Sequence, residues 1–331
     1  MAFNFKMIGE DELRRTGEVA EDFGKFAELL SNDDTQGLTD WISEHPVNGA
    51  YLASIRNERE RTPLHLAAEA GNVGFAEILV HNGADVNARD VAEKTPLHCA
   101  ATGGDPYMLD YLIKKGADVH ALTFDAKLPL HYARNGSTVT VLMDAGHRND
   151  VNAKDQFDRT PLHYAREASV SEVLAFRGAD LNAQDDRGET PMHAAIARGG
   201  NDVLSSLLMN GADKEIRTEQ GPTPIHYAAI HGNAGALQTL CAAGADKEAL
   251  LEEMTPLHIV AGDTAIPDAK ARDCVDTLLK AGADAKALSD GMTPSDFALQ
   301  AGRLDVVRTL EGASHEQTMQ KSKSKEFAMD M

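Results

Sequence analysis

Apolar residues along this chain fall in short clusters at three- and four-residue spacing, and the clusters recur in pairs at a nearly fixed interval. Between Thr62 and Asn87, Leu64, Ala67 and Ala68 form a narrow stripe of small residues, and Phe75, Ile78 and Leu79 form a second stripe. Each stripe predicts a short amphipathic helix, the first slim enough to approach its neighbours closely. Thr62 is a candidate N-cap, and Pro63 suits the first helical position, where a missing N–H leaves nothing unpaired. Gly71-Asn72 separates the helices, Gly83 ends the second as a left-handed C′ residue, and a polar extended stretch leads to the next Thr.

The opening tetrapeptide Thr-Pro-Leu-His, or a close variant, begins at Thr62, Thr95, Leu128, Thr160, Thr190, Thr223 and Thr255, with an altered copy at Thr293; successive intervals are 33, 33, 32, 30, 33, 32 and 38. A Gly-Ala-Asp ending follows in phase at Gly83, Gly116, Gly178, Gly211, Gly244 and Gly282, with Gly146-His147 as the deviant copy. Helix, turn, helix and projecting finger at this period and with this motif resemble the ankyrin repeat. The resemblance covers about residues 57–312 and implies an all-α, ankyrin-repeat solenoid of helix-turn-helix units with projecting hairpin fingers. The expected organisation is a mobile segment 1–21, a helical N-terminal cap or degenerate repeat 22–56, eight repeats over 57–312 and a mobile tail 313–331. In the cap, Phe26, Leu29, Leu30, Leu38, Trp41 and Ile42 carry the apolar faces. In the eighth repeat Ser295 and Asp296 replace Leu-His, as suits a polar closing unit.

Composition changes the picture mainly through charge. The 331 residues include 32 Lys and Arg against 52 Asp and Glu, a formal net charge of −20. Such a surface repels phosphate backbones and anionic membranes, so nucleic acid and membrane are excluded as expected partners, and a protein with a basic surface is favoured. Cys99, Cys241 and Cys274 are too few and too scattered for a disulfide framework. With neither a signal-peptide pattern at the start nor an apolar run of membrane-spanning length, a cytoplasmic monomer is expected.

Seven of 13 histidines lie in the motif. Equivalent positions in stacked repeats are about 8–10 Å apart, while two ligands of one zinc each lie about 2 Å from it. The ladder therefore cannot chelate a metal along its length. The resemblance makes His65, His98, His163, His193, His226 and His258 structural, bonded to the motif Thr and to turn backbone; His131 lacks the Thr because Leu128 replaces it. His81, His120, His147 and His231 are expected at the surface. No nucleophile, phosphate-loop or metalloprotease motif is present, so neither catalytic residues nor a cofactor or metal are expected.

Departures from the period carry the functional signal. From motif His to second-helix Gly is 18 residues in the first, second, fifth and sixth repeats but 15 in the third and fourth. Those two also share His131-Tyr-Ala-Arg134 and His163-Tyr-Ala-Arg166, with Arg at a close-packing Ala site. Buried guanidinium groups need partners; either the shortened helices expose Arg134 and Arg166, or each is paired. The seventh repeat is longer, His258 to Gly282 being 24 residues, with an insertion at Gly262–Asp268.

Partners of ankyrin arrays usually dock on the concave side, against finger tips and first helices. Carried onto this chain, that makes Phe124, Asp125, Asp155 and Phe157 candidate tip contacts, with Tyr132, Tyr164 and Tyr227, each following a motif His, and Arg134 and Arg166. A Gly two residues before the Thr survives only at Gly188, Gly221 and Gly291; Glu60, Glu93, Asp158 and Glu253 replace it elsewhere, so those turns are expected to be strained or reshaped. The leading expectation is a non-catalytic scaffold or adaptor binding a protein around repeats three and four. The alternative is a secreted or translocated effector whose array targets a host protein, with a tail containing Lys321, Lys323 and Lys325 as export signal.

Overall fold

A computed structural model describes residues 10–44, 54–146 and 150–329. His147 and most of 45–56 lie outside them, as do residues 1–9. The described residues are all-α, with two isolated β-bridges. They form two compact units, Met1–Gln156 and Phe157–Met331.

The first unit opens with helices Glu10–Ser31 and Thr35–Glu44, followed by the helix pairs Pro63–Ala70 with Val73–His81 and Pro96–Gly103 with Pro106–Lys114. The opening pair packs as a repeat would. Phe26, fully buried, meets Phe75 edge-on with ring centroids 5.6 Å apart, and Asn72 Nδ2 donates to Asp33 Oδ1 at 2.6 Å. In the second unit the pairs are Pro191–Ala197 with Asn201–Met209, Pro224–Ile230 with Ala234–Ala242, Pro256–Gly262 with Asp268–Lys280, and Pro294–Gln300 with Leu304–Met329. The small residues do what the pattern predicts: Ala67, Ala68, Ala100, Ala101, Ala228 and Ala229 are wholly buried between neighbouring first helices.

Both terminal helices run past the expected boundaries at 22 and 312. The last continues because Gln317 completes the backbone of the seventh repeat. Its Nε2 donates to Ala283 O at 2.8 Å and its Oε1 accepts from Ala285 N at 3.2 Å.

The motif histidines are scaffold. In repeat two, His98 Nδ1 accepts from Thr95 N at 3.1 Å and contacts Thr95 Oγ1 at 2.9 Å, which leaves the ring proton on Nε2 to donate to Lys127 O at 3.2 Å in the next finger. The same relay joins His65 to Lys94 O, His163 to Glu189 O, His226 to Ala249 O and His258 to Met292 O. His193 Nε2 is buried without a bond of normal geometry, although the Pro222 carbonyl lies on its side of the ring. Leu128 keeps the backbone half of the arrangement, its N–H donating to His131 Nδ1 at 3.1 Å. In the eighth repeat Asp296 takes the acceptor role, bonding Thr293 N at 2.8 Å and Thr293 Oγ1 at 2.7 Å.

Repeats three and four resolve the missing three residues. Their first helices shrink to single 3-10 turns, Pro129–Tyr132 and Pro161–Tyr164, followed by second helices Gly136–Asp144 and Ala168–Phe176. Ala133 and Ala165 turn to extended backbone at ψ 120 and 125, so the chain leaves the helix before the Arg. Arg134 and Arg166 are therefore exposed, the first of the two arrangements the sequence allowed. The freed polar groups are met by an adjacent repeat of the same unit. Arg134 N donates to Ala101 O at 3.1 Å and Asn135 Nδ2 to Gly104 O at 2.8 Å, while Arg198 Nη2 donates to Ala165 O at 3.0 Å.

Candidate interaction surface

The fingers of the first unit are five-residue hairpin ends, Asn57–Arg61, Asp90–Lys94 and Thr123–Lys127. In each, the first N–H bonds the fifth carbonyl at 3.0 Å, and the fourth N–H returns to the first carbonyl at 2.8–2.9 Å. The fourth residue is left-handed, as a three-residue hairpin loop with a bulge requires. Asp90 Oδ1 accepts from Ala92 N at 2.8 Å and Lys94 N at 2.9 Å, tying the loop from inside. Backbone bonds join the tips in series: Val91 N to Arg59 O and Phe124 N to Ala92 O at 3.0 Å, then Gln156 N to Asp125 O at 3.1 Å. The tips are thus a rigid hydrogen-bonded row.

The turns lacking Gly are not reshaped. Glu60, Glu93, Ala126, Asp158 and Glu253 hold φ of 57, 60, 60, 60 and 65°, in the same left-handed region as Gly188 at 73°. An L-residue there costs roughly 1–2 kcal/mol, partly offset by the smaller entropy it loses on folding. Glu60→Gly and Glu93→Gly are each expected to raise stability by about 0.5–1 kcal/mol, read as a higher urea midpoint; an unchanged or lower midpoint would show the strain is relieved elsewhere.

Into this row the sequence places apolar side chains. Phe124 is 81% exposed, Val91 in the adjacent finger 64% and Leu122 at the finger base 48%. Beside them Arg89 Nη1 bonds both Glu93 Oε2 at 2.8 Å and Leu122 O at 3.0 Å. Asp125 accepts from Thr123 Oγ1 and pairs with Lys127 Nζ, both at 2.6 Å. Burial alone would raise its pKa, but the Lys127 ammonium and the Thr123 hydroxyl hold it below the usual carboxylate range.

Other expected contacts are differently placed. Asp155 is 5% exposed, with Lys127 Nζ 4.0 Å from its carboxylate; it is built into the finger and does not face solvent. Tyr132 is half-buried, meeting His98 edge-on at 5.6 Å with Lys94 Nζ 4.4 Å above its ring. Tyr227 meets His193 edge-on at 5.2 Å and donates to Glu189 Oε1 at 2.5 Å. Burial and that carboxylate push its hydroxyl pKa well up. The eighth repeat repeats the contact with Phe297 against His258. A ring after the motif position therefore packs on the preceding histidine, a regularity visible in sequence as an aromatic 34 residues beyond His98 and His193 and 39 beyond His258, whose repeat carries the insertion.

In the second unit Phe157 is 40% exposed, with the Arg159 guanidinium 5.6 Å from its ring centre. Tyr164 is half-buried and bonds Arg159. Arg159 Nε pairs with Asp185 Oδ2 at 3.0 Å. Burial, and then the like charges of Arg166 and Arg159, lower the pKa of Arg198. His81 and His231 are exposed and His120 pairs with Asp150 at 2.9 Å. No group of side chains fit to hold a metal occurs among the described residues, and no helix there is long and apolar enough to cross a membrane.

Comparison with known proteins agrees with the repeat geometry. The family model for ankyrin repeats matches residues 39–123 and 166–250, just over half of the 331-residue chain. Delta-latroinsectotoxin-Lt1a of Latrodectus tredecimguttatus is 45% identical over 42 residues, 13% of this chain and only 4% of that protein. Among solved structures, the crystal structure of the ankyrin repeat domain of Bcl-3, a unique member of the IkappaB protein family, shares 26% identity. It covers 67% of this chain and 99% of its own, with a TM-score of 0.49. On its motif, its helix pairs and the matched family model, the chain belongs to the ankyrin repeat family.

Proposed function

We propose that this chain is a non-catalytic scaffold that binds a partner protein through the finger tips and exposed first-helix positions around repeats two and three of the first unit. The observation that carries the reading is Phe124, an aromatic ring left 81% exposed on a backbone that its neighbours hold rigid. Aromatic anchors on preorganised surfaces supply much of the binding energy where they enter a partner's pocket. Val91 and Leu122 widen the apolar contact, Arg134 stands free for an acidic group, and Tyr132 supplies one half-exposed edge. In the second unit Phe157 and Arg166 are the corresponding candidates. The net charge of −20 favours a partner whose wider surface is basic, approaching faster at low salt.

The test is affinity capture from lysate of the source cells, comparing the natural chain with Phe124→Ala and Phe124→Ala/Phe157→Ala. The first substitution is expected to weaken a captured partner by ten-fold or more, about 1.4 kcal/mol, with the circular dichroism spectrum unchanged. Full retention of every partner by the double variant overturns the proposal.

A further inference from the structure

A second surface lies in repeats six to eight, where a cavity of about 360 Å³ opens beside the seventh finger. Its walls are Ile230, Leu251, Met254, Ile259 and Phe297, with Asp263 at one side and no lysine or arginine among the lining residues. Ile230 is 37% exposed, and Leu251, Met254 and Phe297 are half-buried. The volume falls in the range of small ligand pockets, about 300–1,000 Å³, enough to take an apolar side chain.

The pocket is held open by its surroundings. Leu251 and Met254 exchange two backbone bonds of 2.9 Å around Glu252 and Glu253, both left-handed at φ 49 and 65°. That is the two-residue turn whose twist matches a hairpin. The wall at Asp263 belongs to the insertion of the seventh repeat, and Arg303 pins it by donating to the carbonyls of Val260, Asp263 and Ile266. Gly262 is needed here: a Cβ would stand 2.9 Å from Phe297 Cδ1, so any other residue would push that ring out of the wall.

Charge says what fits. The hairpin beside the pocket presents Glu252 and Glu253 to solvent; the neighbouring fingers present Glu219 and Asp290, and Asp296 is exposed. Two cations of the same fingers are engaged elsewhere, Arg217 on the carbonyls of Gly221 and Leu250 and Lys286 on Thr318. His258 adds no charge near neutral pH, because burial lowers its pKa.

We infer that this pocket takes a leucine- or phenylalanine-sized side chain from a partner segment in which that side chain is bracketed by lysine or arginine. The inference rests on the reading of the chain as an interaction scaffold but concerns a surface separate from Phe124. The probe is a fluorescently labelled peptide, Lys-Lys-Leu-Phe-Lys-Lys, titrated into the full chain and followed by anisotropy. Controls are Glu-Glu-Leu-Phe-Glu-Glu and Lys-Lys-Ser-Gly-Lys-Lys. The basic apolar peptide is expected to bind at least about ten-fold more tightly than either control. Ile230→Ser and Ile230→Ser/Leu251→Ser should weaken it about ten-fold, and Glu252→Gln/Glu253→Gln should weaken it and flatten its salt dependence. Phe124→Ala should leave it unchanged.

Equal binding of the acidic peptide, no saturable binding of the basic one, or indifference to Ile230→Ser overturns the assignment. Loss of peptide binding with Phe124→Ala also overturns it, by moving the probe to the finger tips. Failure of the pocket leaves the capture experiment on Phe124 untouched, so the two readings fail separately.

Discussion

Lowering the pH from 7 to 4 is expected to remove several kcal/mol of stability from this array, with the steepest loss starting below about pH 6.5. His98 and His193 are buried, and burial lowers each from 6.5 to about 4. His65, His226 and His258 are lowered for the same first cause. Between the folded and unfolded pKa values the unfolded chain binds more protons, so stability rises with pH through that window and is lost as pH falls through it. For His98 and His193 the shift from 6.5 to about 4 corresponds to about 3 kcal/mol each at full effect. The physical event is specific: Nδ1 accepts the N–H of the motif residue, and a proton there turns an acceptor into a donor facing a donor. Carboxylate protonation relieves self-repulsion in a chain of net charge −20, but chiefly nearer pH 4. Urea midpoints taken between pH 7 and 4 check this. His98→Asn should lower the midpoint at pH 7 and reduce its slope against pH. A flat profile between pH 7 and 5 would sink the assignment of neutral, Nε2-protonated rings.

Arg303→Met is the substitution expected to cost most, about 3–5 kcal/mol. Arg303 is 5% exposed, donates from Nη1 to Val260 O at 2.8 Å and from Nη2 to Asp263 O at 2.6 Å and to Ile266 O, and pairs through Nε with Asp268 at 3.1 Å. Methionine keeps much of the stem volume but takes the guanidinium donor from the Val260 and Ile266 carbonyls and leaves Asp263 O only its bond from Ile266 N, each lost partner costing about 1–3 kcal/mol when buried. Lysine fares little better, since one ammonium cannot reproduce the planar fork. Stability in a repeat array is a sum of nearest-neighbour terms, so the damage should stay in the C-terminal repeats. Hydrogen exchange should rise across Ile266–Val275 and remain unchanged at Val203–Leu207. Uniform loss of protection throughout the second unit would show that the clamp acts globally.

Much of the candidate surface was legible in the chain. Phe124 and Phe157 stand out because aromatic residues occupy tips where most other fingers carry polar residues, and the structure leaves both exposed. Asp155 shows the limit of that reasoning, since an acidic residue at a tip reads the same whether it faces water or closes the loop. Arg303 went unread, although it stands directly before the helix Leu304–Met329, where four of the other second helices are capped by Asn72, Asp105, Asn135 and Asn233 and none by a cation. A cation at a helix N-terminus opposes the dipole, and such a misfit points to a partner elsewhere.

The all-α repeat, the pairing of helices, the structural role of the histidines and the two places where the repeat shortens are legible in the order of residues alone. These follow from local periodicity, capping and left-handed turns, and each is decided within about one 33-residue unit. How the shortened units relax is set by packing between repeats. Loss of three residues could have tilted a helix or buried a charge, and it instead reduced each first helix to one 3-10 turn. That outcome depends on Ala101, Gly104 and Arg198 in adjacent repeats meeting the freed polar groups. The Arg303 clamp and the pocket it steadies belong to the same class, because their bonds join residues some 37 to 43 positions apart. Hydrogen-bond satisfaction between repeats is a non-local condition, and no pattern within one repeat expresses it.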